Sequence, residues 1–339
     1  MKILLIGGTG TISTAISRRI LANGDDLYLL NRGSRAQELE KQLPGVHQIL
    51  CDAKDEAALA AATAGMEFDV VGEFIGFVPE DVKRDYRVFK GRIGQYIYIS
   101  SASAYLKPPA GYVITEKTPL LNPYWKYSQN KIESEYFLFE RHAADGFPVT
   151  VVRPSHTYDE RTLPLGPEGR FGCWQTLKRM IEGKEILVHG DGTSPWTITH
   201  NSDFAVGYCA LLGNPVAIGE AYNITSGEAL SWNDIYKLVG EALGVQPKLF
   251  HVSTDFLCAS KEYDFTGSLL GDKCNAAIFD NSKIRALAPD LAPNTPFRVG
   301  ARMSVENILA TPSLQREDPQ FDAFCDRIIA IQREALAKL

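Results

Sequence analysis

The sequence predicts an α/β fold, a Rossmann-type doubly wound parallel sheet with a smaller C-terminal α/β substrate lobe. Three observations carry that reading. Short apolar runs alternate with helical patterns through the first half of the chain, a glycine-rich turn separates the first run from the first helix, and the alternation loosens after Pro154.

Taken in order, Lys2–Ile6 reads as a buried strand, Thr14–Ala22 as a helix, and Asp26–Leu30 as a second strand with a helix near Arg35–Gln42. His47–Leu50 is the third strand, followed by an alanine-rich helix around Glu56–Ala64. Phe68–Val71 is the fourth strand, Asp81–Phe89 a helix, Gln95–Ser100 the fifth strand, Tyr127–His142 a long helix and Pro148–Val152 the sixth strand. The segment Tyr158–Gly172 is rich in Gly, Pro and charge and reads as a loop beside a site. Helices follow at Cys173–Ile181, Asp203–Leu212, Trp232–Leu243 and Asp318–Leu339, with a strand at Ala221–Ile224. Phe279–Ile284 reads as a polar helix start with a supporting role.

At 339 residues the chain is long enough for about two domains at ~150 residues each. The expected division is interleaved: residues 1–165 and 196–225 bind a dinucleotide, and residues 166–195 and 226–339 form the substrate lobe. Hydrophobic residues are 45% and charged residues 22%, an ordinary globular balance that excludes disorder, collagen and coiled coil. A formal charge of -6 argues against a general nucleic-acid binder. The six cysteines form no CxxC pair and are expected to be free thiols. No signal-peptide core and no membrane-spanning run is apparent, so the expected location is cytoplasmic with no membrane partner. The six histidines form no ligand-spaced cluster, so no metal is expected.

The turn Ile6-Gly7-Gly8-Thr9-Gly10-Thr11-Ile12-Ser13 follows the first strand and opens the first helix. Glycines there let the backbone approach a pyrophosphate, which rests on the free N–H groups of the helix N-terminus. Gly7, Thr9, Gly10, Thr11 and Ile12 are therefore expected cofactor contacts, with Ser13 at the usual third glycine. The second strand ends Leu30-Asn31-Arg32-Gly33-Ser34-Arg35, without the carboxylate that would take the 2′-hydroxyl of NAD. Asn31 and Arg32 favour NADP over NAD, unless the arginines are simply solvated.

Tyr127 and Lys131 are four apart and share one helix face. A neighbouring ammonium is expected to stabilise the phenolate and lower its pKa, making Tyr127 a general acid/base. The pair recurs by chance in many sequences, but here it opens the helix before the sixth strand, 26 residues after Ser101 at the end of the fifth. Ligands of such sheets bind at the carboxyl ends of the strands.

With these motifs the chain resembles the extended short-chain dehydrogenase/reductase superfamily, in its sugar-nucleotide epimerase/dehydratase group, over residues 1–240 and more loosely beyond. The matches are Gly7–Ser13, Ile99–Tyr105, Tyr127-x-x-x-Lys131, Val152-Arg153-Pro154 and Gly190-Asp191-Gly192 with Asp203. The resemblance implies that Ser101 hydrogen-bonds the reacting oxygen, that Tyr127 moves its proton, and that Lys131 binds the nicotinamide ribose and tunes Tyr127. It places Asp52 and Ala53 beside adenine, Phe74, Ile75 and Gly76 along the middle of the cofactor, and Pro154 near the nicotinamide. It also implies a homodimer packed through Asp81–Phe89 and Tyr127–His142, although Phe137, Leu138 and Phe139 could face the chain's own sheet instead.

Three departures narrow the chemistry. Ala102 and Ser103 stand where 4,6-dehydratases of the family carry Asp and Glu, so elimination of that type is not expected. Trp196 stands where the family carries an arginine that clamps a diphosphate, four residues before His200, and either stacks on a ring or fills a core. His156 replaces a substrate-binding asparagine and is either a substrate contact or a structural histidine. Ser103, His156 and Trp196, with part of the 158–172 loop, form the expected substrate shell. The leading function is hydride transfer at a secondary alcohol or ketone of a sugar-like or other small carbonyl substrate, by an epimerase or a reductase/dehydrogenase. The alternative is a non-catalytic NADP-binding regulator or an RNA-binding relative.

Overall fold

The computed structural model describes residues 1–33, 39, 41–291 and 295–339. Most of the helix expected near Arg35–Gln42, with Ser34 and Arg35, lies outside the described residues. The first half runs β1 (Lys2–Ile6), α1 (Thr11–Ala22), β2 (Asp26–Asn31), β3 (His47–Leu50), α2 (Glu56–Ala62), β4 (Phe68–Glu73), α3 (Pro79–Phe89) and β5 (Ile93–Ile99). A two-residue strand β6 (Val113–Ile114) precedes the long α4 (Lys126–Asp145), and β7 (Val149–Pro154) follows. After β8 (His156–Tyr158), α5 (Trp174–Ile181), β9 (Glu185–His189), β10 (Pro195–His200) and α6 (Asn201–Leu211), the strand β11 (Glu220–Ile224) returns to the main sheet.

That sheet has seven strands in the order β3-β2-β1-β4-β5-β7-β11. Each of its neighbouring pairs is parallel. The doubly wound fold expected from the sequence is therefore the one observed. Its physical basis is visible in β1, where Ile3, Leu4, Leu5 and Ile6 are all fully buried. Ile3 and Leu5 pack on one face with Ile16, Ile20, Phe204 and Tyr208, under α1 and α6. Leu4 and Ile6 pack on the other with Val82, Phe89 and Leu138, under α3 and α4. A strand covered on both faces has no polar side, so it reads as an unbroken apolar run. Leu138 thus belongs to the chain's own core, with Phe137 and Phe139 packed against it.

The remainder builds smaller layers. β10 lies parallel to β8 and antiparallel to β12 (Ala229–Ser231). α7 (Trp232–Leu243) follows, and β13 (Lys248–Val252) pairs in parallel with β9. The last elements are α8 (Thr254–Cys258), a π-helical segment Thr266–Lys273, β14 (Ile278–Phe279) beside β6, α9 (Ser282–Leu287), α10 (Phe297–Ala310) and α11 (Pro319–Leu336). Their core gathers Leu177, Ile186, Val188, Trp196, Trp232, Tyr236 and Phe297. No helix is long and apolar enough to cross a membrane among the described residues.

Candidate active site

The glycine turn is shaped by steric exclusion. Gly7 has a φ of +84°, and a Cβ on it would lie 2.5 Å from Ile75 Cγ2. A Cβ on Gly8 would lie 2.2 Å from Leu29 Cδ2. Ser13 closes the turn: its hydroxyl donates to the Gly7 carbonyl at 2.9 Å and accepts from the Gly10 N–H at 2.9 Å. α1 starts at Thr11 with no acidic residue in its first turn, which leaves an N-terminus suited to an anion. The Thr11 carbonyl accepts from Asn201 Nδ2 at 2.9 Å, tying the turn to α6. At the end of β2, Asn31 Oδ1 accepts from the Gly33 N–H at 2.8 Å, while its buried Nδ2 has no partner among the described residues. Arg32 is exposed. After β3, Asp52 is exposed, its carboxylate accepting from the Lys54 N–H, and Ala53 is buried. A cradle that no Cβ can enter, an open helix N-terminus and an unpartnered amide at the strand end fit a dinucleotide.

The catalytic candidates meet at the carboxyl ends of β5 and β7. Ser101 caps a short turn over Ala102–Ala104, its Oγ accepting from the Ser103 N–H at 3.1 Å. The Ser128 hydroxyl donates to Ser103 Oγ at 2.7 Å, and Ser103 Oγ lies 2.8 Å from Ser101 Oγ. With Ser103 accepting from Ser128, its own proton points to Ser101. The Ser101 hydroxyl then keeps its one proton for Tyr127 or a bound oxygen. Tyr127 and Lys131 project from α4 on one face, as the four-residue spacing dictates. Lys131 Nζ donates to the carbonyls of Gly76 and Ile99, both at 2.7 Å, and lies 5.7 Å from the centre of the Tyr127 ring. Behind them, Arg153 pairs with Glu135 at 2.5 Å and with Tyr105 Oη at 3.0 Å, and Glu135 accepts from Ser100. That buried network fixes α4 against β5 and β7.

The electrostatics correct one expectation. Lys131 does not pull the tyrosine down here. Burial raises the Tyr127 pKa, a hydrogen bond from Ser101 opposes that, and the Asp272 carboxylate adds to it. Burial brings Lys131 down to about 8. The ammonium spends two of its protons on backbone carbonyls, so Tyr127 rests as a neutral phenol able to donate.

A cavity of about 380 Å³ opens over these residues. Ser101, Ser103, Tyr127, Lys131, Pro154, His156 and Trp196 all line it, as do Ile12 and Phe74 from the cofactor side. Ile75 and Gly76 lie beneath, against Gly7 and Lys131. Asp52 and Ala53 are not among its lining residues, and neither are Asn31 and Arg32. Burial holds His156 neutral at a pKa of about 3. Trp196 is buried against Trp232, ring centres 5.4 Å apart, with its Nε1 unpaired. It packs in the core around Trp232 with one side and walls the cavity with the other, so the core reading of Trp196 holds.

The 158–172 loop does not line this cavity. Its Leu163 and Leu165 are buried in the second lobe, and its Gly166 N–H donates to Tyr236 Oη at 2.9 Å. A Gly/Pro-rich composition marked a loop correctly but not what the loop faces. Sequence reasoning missed Lys107, Trp125, Ser268, Asp272 and Lys273, which line the cavity from separate segments. Only the π-helical turn could have flagged the last three, and it carries no periodic signal in sequence. Among the described residues, no group of three His, Cys, Asp or Glu side chains could hold a metal ion.

The profile of the NAD dependent epimerase/dehydratase family matches residues 3–225. A chloroplast stem-loop binding protein of 41 kDa (form b) from Arabidopsis thaliana is 27% identical over 78% of this chain and 68% of its own length. A UDP-glucose 4-epimerase from Bifidobacterium longum is 26% identical over 71% of this chain and 82% of its own. The crystal structure of UDP-glucose 4-epimerase from Bifidobacterium longum, in complex with NAD+ and UDP, superposes with a TM-score of 0.74 at 22% identity, covering 92% of this chain and 99% of that one. A UDP-glucuronic acid 4-epimerase from Bacillus cereus, with UDP-glucuronic acid and NAD, gives 0.73 at 20% identity over 91% and 99%. The match spans well over half of the chain, and the chain belongs to the NAD-dependent epimerase/dehydratase family.

Proposed function

We propose that the chain is an NADP-dependent oxidoreductase acting on a secondary alcohol or ketone of a small carbonyl substrate, with Tyr127 as acid/base. The observation that carries it is the convergence of Ser101, Tyr127 and Lys131 on one cavity next to the glycine turn. Tyr127 gives its proton to the substrate oxygen as the carbonyl becomes an alcohol, and takes it back in reverse. Ser101 donates to the same oxygen, and the Ser128–Ser103 pair keeps that donor aimed. Lys131 anchors the Gly76 and Ile99 backbone beside the tyrosine. A nicotinamide dinucleotide would supply the hydride donor or acceptor. Gly7, Thr9, Gly10, Thr11 and Ile12 are assigned to its pyrophosphate, Asn31 and Arg32 to the 2′ position, and Asp52 and Ala53 to the adenine side. Phe74, Ile75, Gly76 and Pro154 are assigned to the path leading to the nicotinamide.

The preference for NADP rests on an exposed arginine and the lack of a carboxylate at the end of β2. The NAD in the solved relatives argues the other way, and titration decides it. Elimination of the 4,6-dehydratase kind is not proposed, because Ala102 and Ser103 offer neither acid nor base. In the same reading residues 1–165 and 196–225 serve the cofactor and 166–195 and 226–339 the substrate. Two copies pair through the outer faces of α3 and α4, where Tyr136 is exposed.

The test is Tyr127→Phe. NADPH binding is expected to survive, and carbonyl reduction to fall roughly 10²–10⁴-fold. The name of the Arabidopsis relative motivates a second reading, an RNA stem-loop binder. Tight, salt-sensitive stem-loop binding unaffected by Tyr127→Phe, with no turnover in the parent chain, would favour that reading instead.

A further inference from the structure

Lys107 is buried in the catalytic cavity with its side chain 2% exposed, yet its ammonium has no hydrogen bond within 3.5 Å to any described residue. Its one ionic neighbour among the described residues is Asp272 Oδ1, 3.7 Å away. The Asp272 carboxylate also lines the cavity and accepts no hydrogen bond from any described residue within 3.5 Å. Burial raises its pKa, against the pull of Lys107 and Lys273. Lys273 is different, with Nζ held by the carbonyls of Leu165 at 2.9 Å and Gly166 at 3.3 Å. A buried ammonium 3.7 Å from a half-buried carboxylate, with no shorter polar contact to the described residues, leaves a donor and an acceptor for a ligand to fill.

The pair is held firmly. Asp272 sits in the π-helical segment, where the Cys274 N–H donates to the Leu269 carbonyl five residues back. The glycines of that segment abut Trp125: a Cβ on Gly267 would lie 2.3 Å from its Cδ1, and one on Gly271 3.1 Å from its Cβ. Asn122 Nδ2 bridges the carbonyls of Ser103 and Gly271 at 2.8 and 2.7 Å. The segment carrying Asp272 is thus locked to the residues just before Tyr127, and Asp272 acts on the Tyr127 titration.

We infer that Lys107 and Asp272 form a clamp for neighbouring hydroxyls of an uncharged polyhydroxylated carbonyl compound, a free sugar rather than a nucleotide-linked one. One substrate oxygen accepts from Lys107, and the adjacent O–H donates to Asp272. A diol meets the donor of Lys107 and the acceptor of Asp272 at once, whereas an ionised carboxylate has no proton to give Asp272. The cavity's 380 Å³ also includes residues of the cofactor side, and Trp196 stands buried in its wall. A volume at the low end of the usual ~300–1,000 Å³ range has little space for a nucleotide as well.

This rests on the proposed oxidoreductase reading, but its test does not need turnover. Trp125 and Trp196 line the cavity, so quenching of tryptophan fluorescence reports occupancy. With NADP+ present, the full-length chain is titrated with D-glucose, D-galactose, D-mannose, D-xylose and D-fructose, then with D-glucuronate, glucose 6-phosphate and UDP-glucose. Saturable quenching by at least one neutral sugar is expected, weakened roughly tenfold or more in Asp272→Asn and in Lys107→Met. The double variant Lys107→Met/Asp272→Leu leaves no unpaired charge and serves as the folded control. Tyr127→Phe should retain saturable binding of the sugar. Binding lost in the clamp variants but kept in Tyr127→Phe, with no turnover in the parent chain, would sink the oxidoreductase reading and leave the clamp standing. Tighter binding of the acidic or nucleotide-linked sugars, no saturable quenching by any neutral sugar, or unchanged affinity in the clamp variants would overturn the clamp itself.

Discussion

The cofactor side of the cavity is built from backbone, and the substrate side from side chains. On the first, Gly7 and Gly8 press against Ile75 and Leu29, Ser13 ties the turn shut, and the N–H groups of α1 face outward. On the second, Lys107, Trp125, His156, Trp196 and Asp272 converge from five separate segments, and no single turn defines them. A backbone cradle binds what many proteins share, so it tolerates little change in sequence. A wall of side chains can be redrawn residue by residue while the sheet stays the same.

The contrast can be broken most severely on the backbone side. Gly8→Val forces at least one methyl into Leu29, where even a Cβ would sit 2.2 Å away. Overpacking of this kind costs about 1–3 kcal/mol. The expected outcome is a lower Tm together with loss of NADPH binding, measured by thermal unfolding with and without the nucleotide. A variant that binds NADPH normally would show that the turn is not the cradle.

The substrate side predicts a pH signature. His156 is held neutral with a pKa of about 3, and His189 with one of about 4, both by burial. The unfolded chain protonates them near 6.5, so between about 6.5 and 4 the unfolded state binds more protons and stability falls as pH falls. Each contributes about 1.4 kcal/mol per pH unit across its window. His156→Asn should flatten the drop in Tm below pH 6.5. An unchanged pH profile would mean that His156 titrates freely.

A smaller effect separates positioning from packing. Ser103→Ala removes the hydroxyl between Ser128 and Ser101. A loss of about 1 kcal/mol, roughly fivefold in kcat with KM little changed, is expected. A fall in stability with kcat unchanged would reduce Ser103 to a packing residue.

The same contrast explains what could be read from sequence. β1, β2, β4, β5 and β7 announce themselves because buried parallel strands are unbroken apolar runs, and the turn before α1 because only glycine fits there. Tyr127 and Lys131 share a face by helical geometry alone. Ser101 followed from its place at a strand end. The short strands outside the main sheet were invisible: β8, β12 and β14 span two or three residues each, too few for a period of two to emerge. Helix α10 was missed although Phe297, Ala301, Val305 and Ile308 mark its buried stripe, because Gly300 and Arg302 interrupt the pattern. Gly300 is there for contact, since a Cβ on it would meet Tyr158 Oη. The approach of Lys107 to Asp272 joins positions 165 residues apart, which no local pattern encodes. The pKa of Tyr127 was misjudged for a related reason, because the carbonyls of Gly76 and Ile99 that hold Lys131 come from other strands.

In the proposed oxidoreductase, the glycine turn and the end of β2 hold an exchangeable NADP for the chemistry of Tyr127. The most direct measurement is to denature the purified protein, identify any released nucleotide by mass spectrometry, and titrate the native protein with NADPH and NADH, alongside Arg32→Ser. The account predicts reversible binding with NADPH tighter than NADH, and a preference that shrinks roughly tenfold in Arg32→Ser, as loss of a charge-assisted contact implies. Tightly retained NAD(H) that resists exchange, or no affinity for either nucleotide, would contradict it.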